Sequence, residues 1–250
     1  MAVGIWGGRL VWPRVDEITW MTPERLVREG FRRSRVVMMN EARSGLRRCE
    51  RTRRIGARIL PMARACGATR LAMEALGTPE GPPTTGGALA QPDMVALLEQ
   101  ARLQGFELSG FDIDEAKTPV KLRTKIKSAA YTNWRNTQQA ANLARLFSAL
   151  PEDERMLVWC TNLHLATARF MHYRPMGWLF KESTKVTPFS IDQTVTVDWT
   201  GQRARSLVLK WAASELTDRG GNAGFVWEEG LPRLSPGCDA FVLSLDNQLT

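Results

Sequence analysis

The chain has 250 residues, of which 44% are hydrophobic, enough to bury a sizeable core and close to the upper size of a single domain. Its apolar stretches are short and interrupted by charge, well below the roughly 18 to 20 continuous apolar residues of a membrane-spanning helix, so a membrane is not among the expected partners. The formal net charge of +8 suits an anionic ligand or partner, whereas Cys49, Cys66, Cys160 and Cys238 form no Cys-x-x-Cys pair and exclude a zinc knuckle or a dense disulfide framework.

Residues 1–22 carry Trp6, Trp12 and Trp20 among Gly, Pro and charged residues. They read as an irregular extension packing onto one α/β domain that spans residues 23–250. The first residues lack the order of basic segment, apolar run and small-residue cleavage site that marks a secretory signal, and the expected compartment is the cytoplasm. Short apolar or β-branched runs at 36–39, 71–73, 108–111, 156–159 and 189–197 alternate with segments of helix length. That alternation predicts a mainly parallel β-sheet with helices on both faces. Runs at 205–211, 225–227 and 240–245 are read as further strands that extend the sheet antiparallel toward the C-terminus. Residues 77–87, GTPEGPPTTGG, are too rich in Gly and Pro for a regular element. Following a strand, they are either a cover for a pocket at the carboxyl edge or an exposed connector.

Each predicted strand delivers polar groups at its carboxyl end: Asn40 to Ser44, then Glu74, then Asp112 and Asp114, then Thr161, Asn162 and His164, then Asp192 and Gln193. Any one of these could be a helix cap; together, in a parallel sheet, they point to one site. In the helix before the fourth strand, Arg135 and Asn142 are seven residues apart and share a face that borders the apolar stripe. Arg135 there is either a surface guanidinium or a donor reaching into the pocket. In the helix after the first strand, Arg47, Arg51, Arg54 and Arg58 form a basic stripe, either a solvated face or a docking surface for an acidic protein partner. Without interleaved aromatics it does not favour nucleic acid.

The blocks VVMMNEAR, LAMEAL, GFDID, WRNTQQAANLARLF, LVWCTNLHL, PMGWLFKES and FSIDQTVTV, in this order, resemble the erythromycin esterase-like group. That group shares a wider fold with the haem-binding ChaN-like proteins and the Tiki and TraB proteases. The likeness runs from about Arg35 to the C-terminal GCDAFVLSLDN. Position by position, Glu41 matches the acid after the first strand, but Arg43 and Ser44 stand where histidine is expected. Glu74 matches the second acid, and Arg135 and Asn142 match the arginine and asparagine of the later helix. Relatives read Trp-Ala-His-Asn-x-His where this chain reads Trp159-Cys160-Thr161-Asn162-Leu163-His164, so one histidine is kept and one is lost.

The resemblance implies an esterase-like hydrolase or related bacterial tailoring enzyme acting on a small-molecule or peptide substrate. Its chemistry would be hydrolysis or a related elimination or acyl transfer, with Glu41, Glu74, His164 and Arg135 as the catalytic set. His164 is the remaining base, and Arg135 and Arg43 are suited to hold a carboxylate, phosphate or oxyanion. Asp112, Asp114, Asn142, Asn162 and Asp192, with Arg43 and Arg174, are assigned to substrate. No cofactor is expected. A divalent metal on Glu41, Glu74, Asp112 and His164 is the alternative, disfavoured by Arg43, whose charge would repel it. His172 in MHYRP is read as a turn residue in preference to a haem ligand. Two further readings are a non-catalytic protein holding an anionic ligand or partner and a Tiki-like peptidase.

Overall fold

The computed structural model describes residues 13–42, 46–79, 81, 87–197, 202–229, 231 and 234–245, excluding the side chains of 46–48 and 202–204. Seven strands among them form one sheet: β1 (Val36–Glu41), β2 (Ala68–Met73), β3 (Glu107–Gly110), β4 (Arg155–Thr161), β5 (Phe189–Asp192), β6 (Asn222–Val226) and β7 (Ala240–Ser244). Their order is β3-β2-β4-β1-β5-β7-β6. All neighbours pair in parallel except β6 and β7, which are antiparallel. The fold is therefore α/β, a mostly parallel mixed sheet with its antiparallel strand at the C-terminal edge.

Helices cover both faces, as a parallel sheet requires. On one face, α1 (Pro23–Arg33), α2 (Leu46–Ala65) and α3 (Pro92–Leu103) bury Leu26, Phe31, Ile59 and Leu97 against Val37, Met39, Leu71 and Trp159. On the other, α5 (Ala129–Ser148), α6 (Met176–Thr184) and α7 (Gln202–Asp218) bury Leu143, Phe180, Val208 and Leu216 against Met38, Val158 and Phe241. A one-turn helix, α4 (Val120–Arg123), lies between β3 and α5. Local chemistry starts these helices. Thr22 Oγ1 accepts the Arg25 amide at 3.3 Å and Ser128 Oγ accepts the Tyr131 amide at 3.1 Å, each satisfying a donor that the first turn leaves unpaired. Among the described residues no helix is long and apolar enough to cross a membrane.

Two expected elements differ. Residues 205–211 are not a strand but part of α7, because Val208, Ala212 and Leu216 recur every fourth residue and fill the groove over β6 and β7. The run at 189–197 stops being a strand at Asp192, whose carboxylate accepts the Thr194 amide and hydroxyl at 2.8 and 2.7 Å and turns the chain. The N-terminal segment docks where it is described: Met21 bridges Gly224, and Trp20 packs on Trp211 and Phe225. Trp6 and Trp12 lie outside the described residues.

Candidate functional site

The polar strand ends separate into three groups, and strand alternation is the reason. On β1, Val37, Met39 and Glu41 share one face while Met38 and Asn40 share the other. Glu41 thus turns toward α2, away from α5. Its carboxylate accepts from Arg53 Nε at 2.7 Å and Nη2 at 3.0 Å, and from Trp159 Nε1 at 3.0 Å. Arg53 also reaches Asp93 at 3.0 Å. The indole reaches Glu41 because Gly56 leaves room for it: a Cβ there would lie 2.6 Å from the Trp159 ring. Glu41 is consequently half of a buried ion pair and does not join Glu74 and His164 in one pocket.

The second group links β1 to β5. Asn40 Nδ2 donates to the Asn162 carbonyl at 2.7 Å and to Asp192 Oδ1 at 2.8 Å, and the Gln193 amide donates to Asn40 Oδ1 at 2.9 Å. Ser235 donates its hydroxyl to the other Asp192 oxygen. Asp192 is 1% exposed, and its carboxylate fastens β5 to β1 and to the turn that follows. Asn162 holds a left-handed backbone, φ 50°, which Asn tolerates better than most residues. That turn carries the chain from β4 toward His164.

The third group, under the N-terminal half of α5, brings Glu74, Asp112, Arg135 and His164 together. Arg135 Nη2 donates to Glu74 Oε1 at 2.6 Å and Asp112 Oδ2 at 2.7 Å, and its Nε donates to Asp112 Oδ1 at 3.1 Å. The other Glu74 oxygen accepts the Thr161 amide at 2.9 Å and hydroxyl at 3.0 Å. Asp112 is set in place by its amide, which donates to the Gly77 carbonyl at 2.7 Å; Gly77 adopts φ 83°, a backbone that glycine takes without penalty. Gln139 Nε2 donates to Asp112 at 2.9 Å, and Asn142 Nδ2 holds the Phe111 and Asp112 carbonyls. Residues 135, 139 and 142 therefore form one inward stripe of α5.

His164 is buried and its Nδ1 lies 2.6 Å from Asn136 Oδ1. Asn136 Nδ2 donates to the Arg174 carbonyl at 2.8 Å, an oxygen that can only accept, so the amide oxygen must be the atom facing the imidazole. Nδ1 accordingly carries a hydrogen whether the ring is neutral or charged, and the neutral form would have its lone pair on Nε2. Burial works to raise the Glu74 carboxyl, but the charges of His164 and Arg135 and the Thr161 hydrogen bonds outweigh it and hold it below the usual carboxylate value. Burial opposes the Arg135 charge, and Glu74 and Asp112 more than restore it. Burial pushes the Tyr173 phenol, which lies 3.5 Å from His164 Nδ1, up to about 12. Burial, reinforced by Glu74 and Glu41, raises the Cys160 thiol well above its ordinary value and favours its protonated form.

Beside this cluster lies a cavity of about 380 Å³, walled by Trp134, Gln138, Asn142 and Arg145 of α5, by Thr78, Pro79 and Gly81, and by Ile113, Asp114 and Lys117. Glu74, Arg135 and His164 do not line it; Asn142 connects the two. Asp114 caps a short turn by accepting the Ala116 amide at 3.0 Å. Residues 78, 79 and 81 of the Gly- and Pro-rich loop do stand at a pocket, while 80 and 82–86 lie outside the described residues. Arg43 and Ser44 also lie outside them. Arg174 contributes backbone groups to Asn133 and Asn136 with its side chain exposed. His172 sits in an exposed turn. In the basic stripe, Arg54 pairs with Glu50 and Arg58 with Glu24, and the Arg47 side chain is outside the described set. Among the described residues no group of three His, Cys, Asp or Glu is arranged to hold a metal ion.

The residues missed in the sequence were Arg53, Asn136, Gln139 and Tyr173. Gln139 was legible, four residues after Arg135 on the same face. Arg53 was hidden inside an arginine-rich run, and nothing local marks Asn136 or Tyr173.

No family model matches the sequence, and no curated protein matches it. Among solved structures, the fold matches the type III effector HopBA1 with a TM-score of 0.51 at 16% identity, over 90% of this chain and 94% of that one. It also matches RRSP, a MARTX toxin effector domain from Vibrio vulnificus, with a TM-score of 0.47 at 13% identity, over 74% of this chain and 37% of that one. What the first of these likenesses establishes is a shared α/β fold.

Proposed function

We propose that the chain is an enzyme of the erythromycin esterase-like type that hydrolyses, or transforms by a related elimination or acyl transfer, a small-molecule or peptide substrate at the Glu74, Arg135 and His164 cluster. The observation that carries this reading is the anchoring of His164: a buried imidazole held through Nδ1 by Asn136, which leaves Nε2 as the basic nitrogen of its neutral form, with a carboxylate within electrostatic reach. A base positioned by a second group is the arrangement that general-base activation of water or a hydroxyl requires. Arg135, with its side chain 25% exposed, is the most accessible member and supplies positive charge for a developing oxyanion. In this reading Asn136 orients the one histidine that is kept, and no metal enters. To this we add the role that the name of HopBA1 carries, that of an effector.

A second reading, a binding protein without turnover, is favoured by one observation: Glu41, the acid that the resemblance places in the catalytic set, is neutralised by Arg53. One experiment separates the two. Purified protein is offered a panel of carboxylic esters and peptides, and His164→Ala is compared with wild type. The enzyme reading expects turnover to fall by about 10² to 10⁴ with affinity within a few fold, because base assistance is felt mainly in the transition state. A panel left intact by wild type, with a ligand held equally tightly by His164→Ala, establishes the binder instead.

A further inference from the structure

The sequence holds no aspartate or glutamate between Ala116 and Pro151, and none between Arg155 and Lys181. Both stretches surface at the carboxyl edge of the sheet, where the polar cluster lies. In the first, Lys121, Lys125 and Lys127 are exposed, with no ion-pair partner among the described residues. Arg123 spends its hydrogen bonds on the Thr118 and Ala116 carbonyls, which leaves its charge uncompensated. The acids at the start of the segment are few: Asp114 faces Lys117 at 3.5 Å, and Glu115 is exposed.

Large aliphatic side chains stand among these cations, Val120 77% and Ile126 59% exposed. Met171, also 77% exposed, projects from the second stretch at a residue with φ 51°. Asn133 ties the two stretches together, donating to the His172 carbonyl at 2.7 Å and accepting the Arg174 amide at 2.8 Å. Leaving these three in water is unfavourable, so a surface that receives them gains apolar burial as well as charge neutralisation.

We propose that this edge docks on a membrane surface rich in anionic phospholipid. Val120, Ile126 and Met171 enter the boundary between head groups and acyl chains, while the lysine ammonium groups stay level with the phosphates. This is attachment to one leaflet and asks for no spanning helix. The chemistry favours lipid over other polyanions. The aliphatic side chains protrude individually, as insertion into a fluid interface needs, whereas an acidic protein would be met by a shaped groove. From Lys117 to Lys127 the cations are four lysines and one arginine, with no aromatic side chain interleaved among them. The first stretch leads directly into α5, the helix that carries Arg135.

The test is co-sedimentation of the full chain with vesicles of phosphatidylcholine alone and of an equal mixture of phosphatidylcholine and phosphatidylserine, with polyuridylate as a soluble polyanion. Binding is expected only with phosphatidylserine, weakening as salt rises. Each lysine contributes roughly fivefold to partitioning, so changing Lys121, Lys125 and Lys127 together to Ala should weaken binding on the order of a hundredfold. Val120→Ser with Ile126→Ser keeps every charge and should still weaken binding by about tenfold. Because all five side chains are exposed, loss of binding reports the surface and not unfolding, and a circular dichroism spectrum matching wild type confirms it. Absence of binding to the mixed vesicles overturns the proposal. So does binding that ignores the serine substitutions while polyuridylate competes for it, which would reassign the surface to nucleic acid.

Discussion

Arg53→Met tests whether the Glu41 end of β1 belongs to the architecture or to the site. Arg53 and Glu41 have side chains 3% and 6% exposed, with a two-point contact at 2.7 and 3.0 Å and a third link from Arg53 to Asp93 at 3.0 Å. Methionine fills much of the same volume without charge, so among the described residues Glu41 keeps Trp159 Nε1 as its side-chain donor and remains a buried carboxylate. Removing one partner of such a pair costs about 3 to 5 kcal/mol. For a chain of this size each kcal/mol moves the melting temperature by roughly 2 to 4 °C, so the variant should melt roughly 6 to 20 °C below wild type. Adding Glu41→Gln removes the stranded charge and should recover roughly half of the loss or more, since a buried pair replaced as a unit is often close to neutral. Differential scanning calorimetry reads all three proteins. A single variant melting within about 2 °C of wild type would refute the strut. Equally damaging would be Glu41→Gln that melts normally and abolishes turnover, an outcome that returns Glu41 to the reaction.

Two further expectations concern titration. Glu74 has a folded pKa below its unfolded value of 4.5, so the unfolded chain binds the extra proton in acid. Its stabilising contribution is complete above that pH and is lost as pH falls through the folded value. Denaturant unfolding followed below neutrality should show a shallower acid loss in Glu74→Gln than in wild type; identical slopes would remove Glu74 from the ion network. The sequence has two tyrosines, and Tyr173, pushed up to about 12, should give a late step in phenolate absorbance that Tyr173→Phe abolishes. Since its folded pKa is the higher one, stability should decline between about 10 and about 12, and a late step that survives Tyr173→Phe would contradict the burial argument.

The sequence by itself determined the alternation of strands and helices, the mixed α/β class, and the delivery of polar groups to the strand ends. These are local properties: β1 and β4 end in a polar residue and β2 is followed at once by Glu74, and the period of α5 places Arg135 and Asn142 on one face. Partner choice was decided only by the tertiary structure. Because β1 is buried on both faces, VVMMNE carries no polar alternation to say which side Glu41 takes. Its parity became meaningful only when α2 brought Arg53 beneath it and β4 brought Trp159 alongside. Residues 205–211 have β-branched and apolar side chains in a pattern that suits either element, and the groove above β6 and β7 selected the helix by burying Val208, Ala212 and Leu216. The proton position on His164 was likewise invisible in TNLHL. It depends on Asn136, 28 residues away, and on a carbonyl from Arg174, which meet only after α5 and α6 close over the same face of the sheet.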